Sequence, residues 1–589
     1  MNFAEFDSPE WKLLTQVSRP SRYSGSEWRP HKKLNWDDSN LKICLAFPDV
    51  YEIGMSYYGF QIIESLIYSL NKDNKKFLPD RVYCAWPDME KLMLESNTPL
   101  ISIEQRRKIK DFDVLAFTMP HEASYTNILT ILNLSGIKLK SIDRDNDSPL
   151  IIAGGYGAYN PEVMSDFIDL FCVGEAEAIL PDLLNNIESC KKLPRFEKIR
   201  ELAKLPGIYA PLYPVKVTRQ ITENLYTLKS MIVPSVNIVH DRAAIELFRG
   251  CGRGCRFCQA GMVNRPVRER NLDEAAQSIR DIIKSTGWEE IGLLSLASCD
   301  YSGIENLIDL LTPELNSRHS KLSLPSLRMD GFSIGLAEKL EGIRSRHGSI
   351  TFAPEAGTQR LRDVINKGIN EEMIINCLRE IFSRGWERVK LYFMMGLPTE
   401  REEDLRAIAE LSQEALKLAR SMGKRRVTVS ASVSGFVPKA HTPFQWEEQD
   451  SIQELRDKGR FIKSLIHDRA LSIAYHEPEQ TFLEGVLSRG DKLTGRVILR
   501  AWETGARFDN WTEYFDLSRW LEAFNYCGIN PENYTRERRE DEILSWDFVN
   551  VGLTKNFLLR ERHRAYSGEL TQDCITGCAG CGLGCKNKQ

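Results

Sequence analysis

Seven of the fourteen cysteines in this chain fall into two tight sets. The first is Cys251, Cys255 and Cys258, spaced C-x3-C-x2-C within RGCGRGCRFCQAG. Three thiolates are one short of a closed tetrahedral zinc site. They suit a cubane iron–sulfur cluster with one iron left open to bind and polarise a small molecule. Gly250, Gly252 and Gly254 let the backbone wrap closely around such a bulky group. The second set is Cys574, Cys578, Cys581 and Cys585, spaced C-x3-C-x2-C-x3-C among glycines. Four thiolates complete a ligand set, so this tail suits a second iron–sulfur cluster, with tetrahedral zinc as the alternative. The remaining seven cysteines are scattered and read as small buried hydrophobes.

Only the first set follows a strand and precedes a run of strand–helix units. AAIELF, EIGLLSL, LSLPSL, SITFAP, RVKLYFMMG and RVTVSASV read as strands, with amphipathic helices between them, SIGLAEKLEGI included. Six βα units predict a partial TIM-type barrel over 243–470, whose chemistry belongs at the carboxyl ends of the strands. Polar segments gather there: SLASCDYSG, RMDGFS, PEAGTQRLR, GLPTEREED and GFVPKAHTPFQW. Six arginines also crowd the first cysteine loop (Arg249, Arg253, Arg256, Arg265, Arg268 and Arg270). They can offset cluster charge or meet an anionic substrate such as RNA.

This layout and its cysteine spacing resemble the radical S-adenosylmethionine (SAM) enzymes. The resemblance implies a 4Fe–4S cluster on Cys251, Cys255 and Cys258 that chelates SAM and cleaves it reductively to a 5′-deoxyadenosyl radical, with these cysteines as the catalytic set. It implies an electron donor such as a flavodoxin or ferredoxin. It places Glu355 on the SAM ribose, a job that suits a carboxylate because it accepts from both hydroxyls of a diol. Gly396 and Pro398 stand where the adenine lies, and Ser295 and Ser298 near the SAM amino group. The usual G-G-E triplet is absent there.

Upstream, KICLAFP, FDVLAFTM, PLIIAGGYG and FIDLFCVG alternate with helices and predict a doubly wound, Rossmann-like α/β domain over 41–190. Its strand ends carry Asp49, Tyr51, Gly54, Gly154, Gly155 and Glu175. The stretch GGYGAYNPEVMSDFIDLFCVGEAEAI resembles the closing segment of cobalamin-binding domains that precede radical SAM cores. That resemblance implies a cobalamin site at those residues. Cobalamin proteins carry D-x-H-x-x-G after the first strand, and here Tyr51 replaces the histidine. A phenol is a poor cobalt ligand, so a bound cobalamin would have no lower histidine from this loop.

An arm (1–40), a connector (191–242), a mainly helical C-terminal domain (471–570) and the cysteine-rich tail (571–589) complete the expected organisation. Hydrophobic content of 42%, charged content of 27% and a formal charge of −4 describe a globular protein without a global basic field. No signal pattern and no long apolar run occurs, so we expect a cytoplasmic protein with no membrane segment. The closest likeness is to a bacterial radical SAM subfamily with a cobalamin-type N-terminal domain. It implies cobalamin-linked methyl or methylthio transfer to an unactivated carbon, with RNA or protein substrates left open. The alternatives are cobalamin-independent sulfur insertion or rearrangement, and a non-catalytic iron–sulfur redox or RNA-binding factor.

Overall fold

The run LKICLAF forms strand β1 (Leu41–Phe47), buried except at Lys42. A strand with parallel neighbours on both sides and cover on both faces reads as a continuous apolar run rather than an alternation. Strands β2 (Phe77–Tyr83), β3 (Val114–Thr118), β4 (Leu150–Gly154), β5 (Leu170–Cys172) and β6 (Ile208–Tyr209) complete its sheet in the order β2-β1-β3-β4-β5-β6. The first five strands are parallel and β6 is antiparallel to β5. This is the doubly wound, Rossmann-like arrangement, with its switch point between β1 and β3.

The computed structural model describes residues 9–72, 76–324, 328–329, 339 and 349–585, and the chain divides into two compact units. The Rossmann-like unit comprises Met1–Asp241, Gly490–Pro531 and Ile543–Asn550. Its core holds Leu41, Ile43, Phe47, Leu150, Leu170, Leu183 and Ile199. Two buried polar networks brace it. Arg81 in β2 pairs with Glu27 at 2.5 Å and with Glu64 at 3.0 Å. Asp169 accepts the Ile151 amide at 2.7 Å and Arg144 at 2.9 Å, and also bonds Arg195 and Ser141.

The second unit comprises Arg242–Arg489, Glu532–Glu542 and Val551–Gln589. Strands β7 (Ala243–Glu246), β8 (Glu290–Leu294) and β9 (Lys321–Ser323) pair in parallel in the order β9-β8-β7. Strands β10 (Ile350–Glu355), β11 (Arg388–Met395), β12 (Thr428–Gly435) and β13 (Leu471–Tyr475) form a second parallel set in that order. Helices between them follow ordinary signals. Asn271 caps Leu272–Thr286 by accepting the Asp273 amide at 2.9 Å, and Gly287 ends it at φ +73°.

The structure adds β13 to the six strands legible in the sequence. LSIAY is five residues long with alternating burial, an edge-strand pattern that offers no continuous apolar run. Residues 490–531, which follow the barrel in sequence as helices, belong to the Rossmann-like unit. Part of the third strand (325–327), part of the RMDGFS segment and almost all of SIGLAEKLEGI lie outside the described residues. Among the described residues no helix is long and apolar enough to cross a membrane.

Candidate functional site

The cysteine loop leaves β7 and is closed at its base by a two-residue antiparallel ladder, Phe248–Arg249 with Arg268–Glu269. Gly250 turns the chain into the loop at φ +94°, and a Cβ there would sit 2.4 Å from the Pro266 carbonyl oxygen. Only glycine meets both demands. The thiols of Cys251, Cys255 and Cys258 influence one another electrostatically. Burial pushes the Cys258 thiol up to about 12, the neighbouring Cys255 adding to the rise, and burial also raises Cys251. Metal binding therefore has to displace their protons. Among the described residues no group of three or more His, Cys, Asp or Glu side chains closes on a single ion. A cubane spreads its ligands over several irons, so its cysteines need not converge on one point. Three neighbouring thiols on a glycine-rich loop fit a 4Fe–4S cluster with one iron open.

Phe257, between the last two cysteines, packs on a small apolar cluster at the ends of β10–β12. That cluster contains Ala356, Leu361, Met394, Leu397, Phe436 and Ala565. Glu355 lies at the end of β10, where the register shifts, with φ +69°. Its carboxylate accepts from Lys367 at 3.1 Å and is close enough to raise the Cys258 thiol. The structure thus brings Glu355 to the cluster loop, and a carboxylate held by one lysine keeps acceptor sites for a ribose diol.

Other candidates sit differently. Ser298 is fully buried; its hydroxyl donates to the Leu293 carbonyl at 3.1 Å and receives the Ser295 hydroxyl at 3.0 Å. These two serines brace the turn after β8. The amide of Gly396 donates to the Glu400 carboxylate at 2.9 Å, and the place a Cβ would take is filled by Asp450. Pro398 is half-buried in the same rim segment. Arg360 bonds Thr399 and Asp404, and Arg362 braces the PEAG turn through the Ala356 and Gly357 carbonyls. The loop arginines have protein partners as well, Arg249 on Glu246 and Arg270 on Glu274.

The tail cysteines come to this loop. The Cys574 amide donates to the Gly252 carbonyl at 2.9 Å, one residue from Cys251. Arg253 bridges Asp300 and, at 3.1 Å, Asp573. Burial raises the Cys574 thiol and Cys581, Cys585 and Cys578 add to the rise, so those three thiols act electrostatically on it. Cys574, Cys578 and Cys585 are exposed and Cys581 is buried. Four thiols acting on one another can ligate the four irons of a cubane without converging on one ion. Sequence reasoning missed the residues that dock this tail (Asn366, Glu561, Thr571 and Asp573). Their partners are about ten to three hundred residues distant, and no local pattern marks them.

The strand-end loops of the Rossmann-like unit are tied by their own side chains. The Asp49 carboxylate accepts from Asn510 at 2.9 Å and from Trp511 at 3.1 Å. The Phe508 amide donates to Asn127, and Asp509 accepts from Thr126. The Trp86 ring packs on Phe508, Trp511 and Tyr514. Tyr51 is buried and donates to Glu27 at 2.6 Å. A Cβ on Gly54 would meet the Tyr83 ring at 2.4 Å, and one on Gly155 the Met119 carbonyl at 2.7 Å. Gly154 ends β4, bonding the Met119 amide through its carbonyl, and Glu175 accepts the Thr222 amide. These contacts hold the strand-end loops in place.

Residues 59–211 match the family described as radical SAM proteins, N-terminal, and residues 245–412 match the radical SAM superfamily. An uncharacterised protein of Methanocaldococcus jannaschii is 27% identical over 474 residues, spanning 79% of this chain and 91% of the relative. The ribosomal protein uS12 methylthiotransferase RimO of Petrotoga mobilis is 23% identical over 237 residues, 37% of this chain and 52% of the relative. The radical SAM methyltransferase TsrM of Kitasatospora setae, solved with cobalamin and a 4Fe–4S cluster bound, superposes with a TM-score of 0.49. It is 14% identical and covers 71% of this chain and 78% of that one. The chain carries a radical SAM domain, preceded by the N-terminal region of radical SAM proteins.

Proposed function

We propose that this protein is a radical SAM methylthiotransferase acting on an unactivated carbon, with two iron–sulfur centres in its second unit. The observation that carries the reading is the hydrogen bond from Cys574 to Gly252, which sets a complete four-cysteine ligand set against the three-cysteine loop. Cys251, Cys255 and Cys258 hold the SAM-binding cluster, and Cys574, Cys578, Cys581 and Cys585 hold the auxiliary one. When bound, the first cluster supplies the electron that cleaves SAM to a 5′-deoxyadenosyl radical. Glu355 orients the SAM ribose, and Phe257 anchors the loop on the apolar cluster at the strand ends. A complete four-cysteine set suits electron relay, and release of one exposed thiolate, Cys574, Cys578 or Cys585, would free an iron for the sulfur chemistry that methylthio transfer requires. The curated methylthiotransferase relative supports the same reaction class.

The test is anaerobic metal analysis and product analysis on the wild type and on a variant with the four tail cysteines changed to Ser. The wild type should hold about eight irons and the variant about four, in line with two cubanes and one. Wild type incubated with SAM and dithionite should give both 5′-deoxyadenosine and S-adenosylhomocysteine, the residues of radical cleavage and of methyl donation. Four irons plus zinc in the wild type would make the tail structural and remove the methylthio assignment.

A further inference from the structure

The loop between Cys251 and Cys258 has five residues that are not cysteines, and all five are tied toward one place. Gly252 accepts the Cys574 amide at 2.9 Å, and Arg253 pairs with Asp573 at 3.1 Å. The Gly254 carbonyl accepts from Asn366 at 3.2 Å, and Asn366 in turn accepts the Thr571 amide at 2.9 Å. Phe257 packs on the apolar cluster to which Ala565 belongs.

Arg256 is the strongest tie. Its guanidinium is fully buried inside the loop. It donates to the Asp363 and Val364 carbonyls at 3.1 and 2.9 Å, to the Glu569 carbonyl at 2.7 Å and to the Glu561 carboxylate at 3.3 Å. Glu561 is also buried and receives the Thr571 hydroxyl at 2.7 Å. A planar five-donor fork can satisfy that many fixed acceptors, and an ammonium cannot. Glu561 is fixed because its helix, Lys555–Ser567, is capped by Thr554 and stopped by Gly568 at φ +69°. The tail then runs only from Glu569 to Cys574 before its first ligand.

We infer that metal loading of the tail and metal loading of the loop are thermodynamically coupled, with Arg256 as the positioning residue that transmits the coupling. This rests on the reading that both cysteine sets bind iron–sulfur clusters. A centre on the tail orders 574–585 and so holds Cys574 on Gly252 and Asp573 on Arg253, which favours the loop shape that presents Cys251. By linkage, a centre on the loop favours the docked tail by the same factor. The two centres assemble as a pair and protect each other.

The experiment uses the full chain reconstituted anaerobically. Iron release to a ferrous chelator is followed with amide exchange of residues 250–258 and the EPR signal of the reduced, SAM-bound loop cluster. The wild type must first show about eight irons and form 5′-deoxyadenosine; if it does not, the reading of two clusters fails and the coupling is not what was lost. In the variant with four tail serines, the loop cluster should lose iron about tenfold faster, within the usual range of coupling factors. Amides 252–256 should exchange faster and the EPR signal should shift. Arg256→Lys, which keeps the charge and removes the fork, should accelerate loop release while all four tail cysteines remain. Loop release, exchange and EPR equal to wild type in the four-serine variant would overturn the coupling. A normal Arg256→Lys protein would remove Arg256 from it.

Discussion

Replacing Cys251, Cys255 and Cys258 together with Ala should bring 5′-deoxyadenosine formation under dithionite down to the protein-free level. The reason is chemical rather than structural. Of the loop's contacts, the Gly261 amide donating to Cys258 Sγ at 3.3 Å uses a thiol; Gly252 bonds through its carbonyl, Arg256 through its guanidinium and Phe257 through apolar packing. The variant should therefore keep wild-type far-UV circular dichroism and lose only the ligands. The tail keeps its own ligands but loses the loop centre that favours its docked form, so iron should fall by at least about one cubane's four atoms. Undiminished SAM cleavage would remove this loop from the chemistry.

The largest stability effect should come from Asp169 in the Rossmann-like unit. This carboxylate is fully buried and holds Arg144 at 2.9 Å, together with Arg195, Ser141 and the Ile151 amide. Asp169→Ala leaves two buried guanidinium groups without their shared counter-charge. Breaking a buried pair from one side costs about 3–5 kcal/mol, because the remaining charge stays desolvated. At a urea slope of about 2 kcal/mol/M the unfolding midpoint of this unit should fall by roughly 2 M. Glu201→Ala is the control: Glu201 pairs with exposed Lys204 at the surface, and surface changes of that kind stay within about 0.5 kcal/mol. Equal midpoints for Asp169→Ala and Glu201→Ala would show that the network carries no weight.

The sequence by itself determined what local spacing can encode. C-x3-C-x2-C after a strand, among glycines, is the spacing of a cluster-binding loop. The apolar runs around Ile43, Leu115 and Ile152 had to become central parallel strands, because only a strand covered on both faces is apolar throughout. The strand-end place of Glu355 was legible, because SITFAP reads as an apolar strand that runs up to it. The short alternating LSIAY was not, because an edge strand buries too little to announce itself.

Tertiary structure decided the rest. Asp49 accepts from Trp511 and Tyr51 donates to Glu27, partners that no local pattern announces. Arg256 read as one of six cations near a cluster. Its burial against Glu561, three hundred residues away, ties the cysteine loop to the helix that precedes the tail. Side chains such as these take their roles from partners far along the chain. A single sequence carries no signal of which distant acceptor a buried guanidinium will meet, since that choice is made by the packing of whole helices rather than by neighbours in sequence.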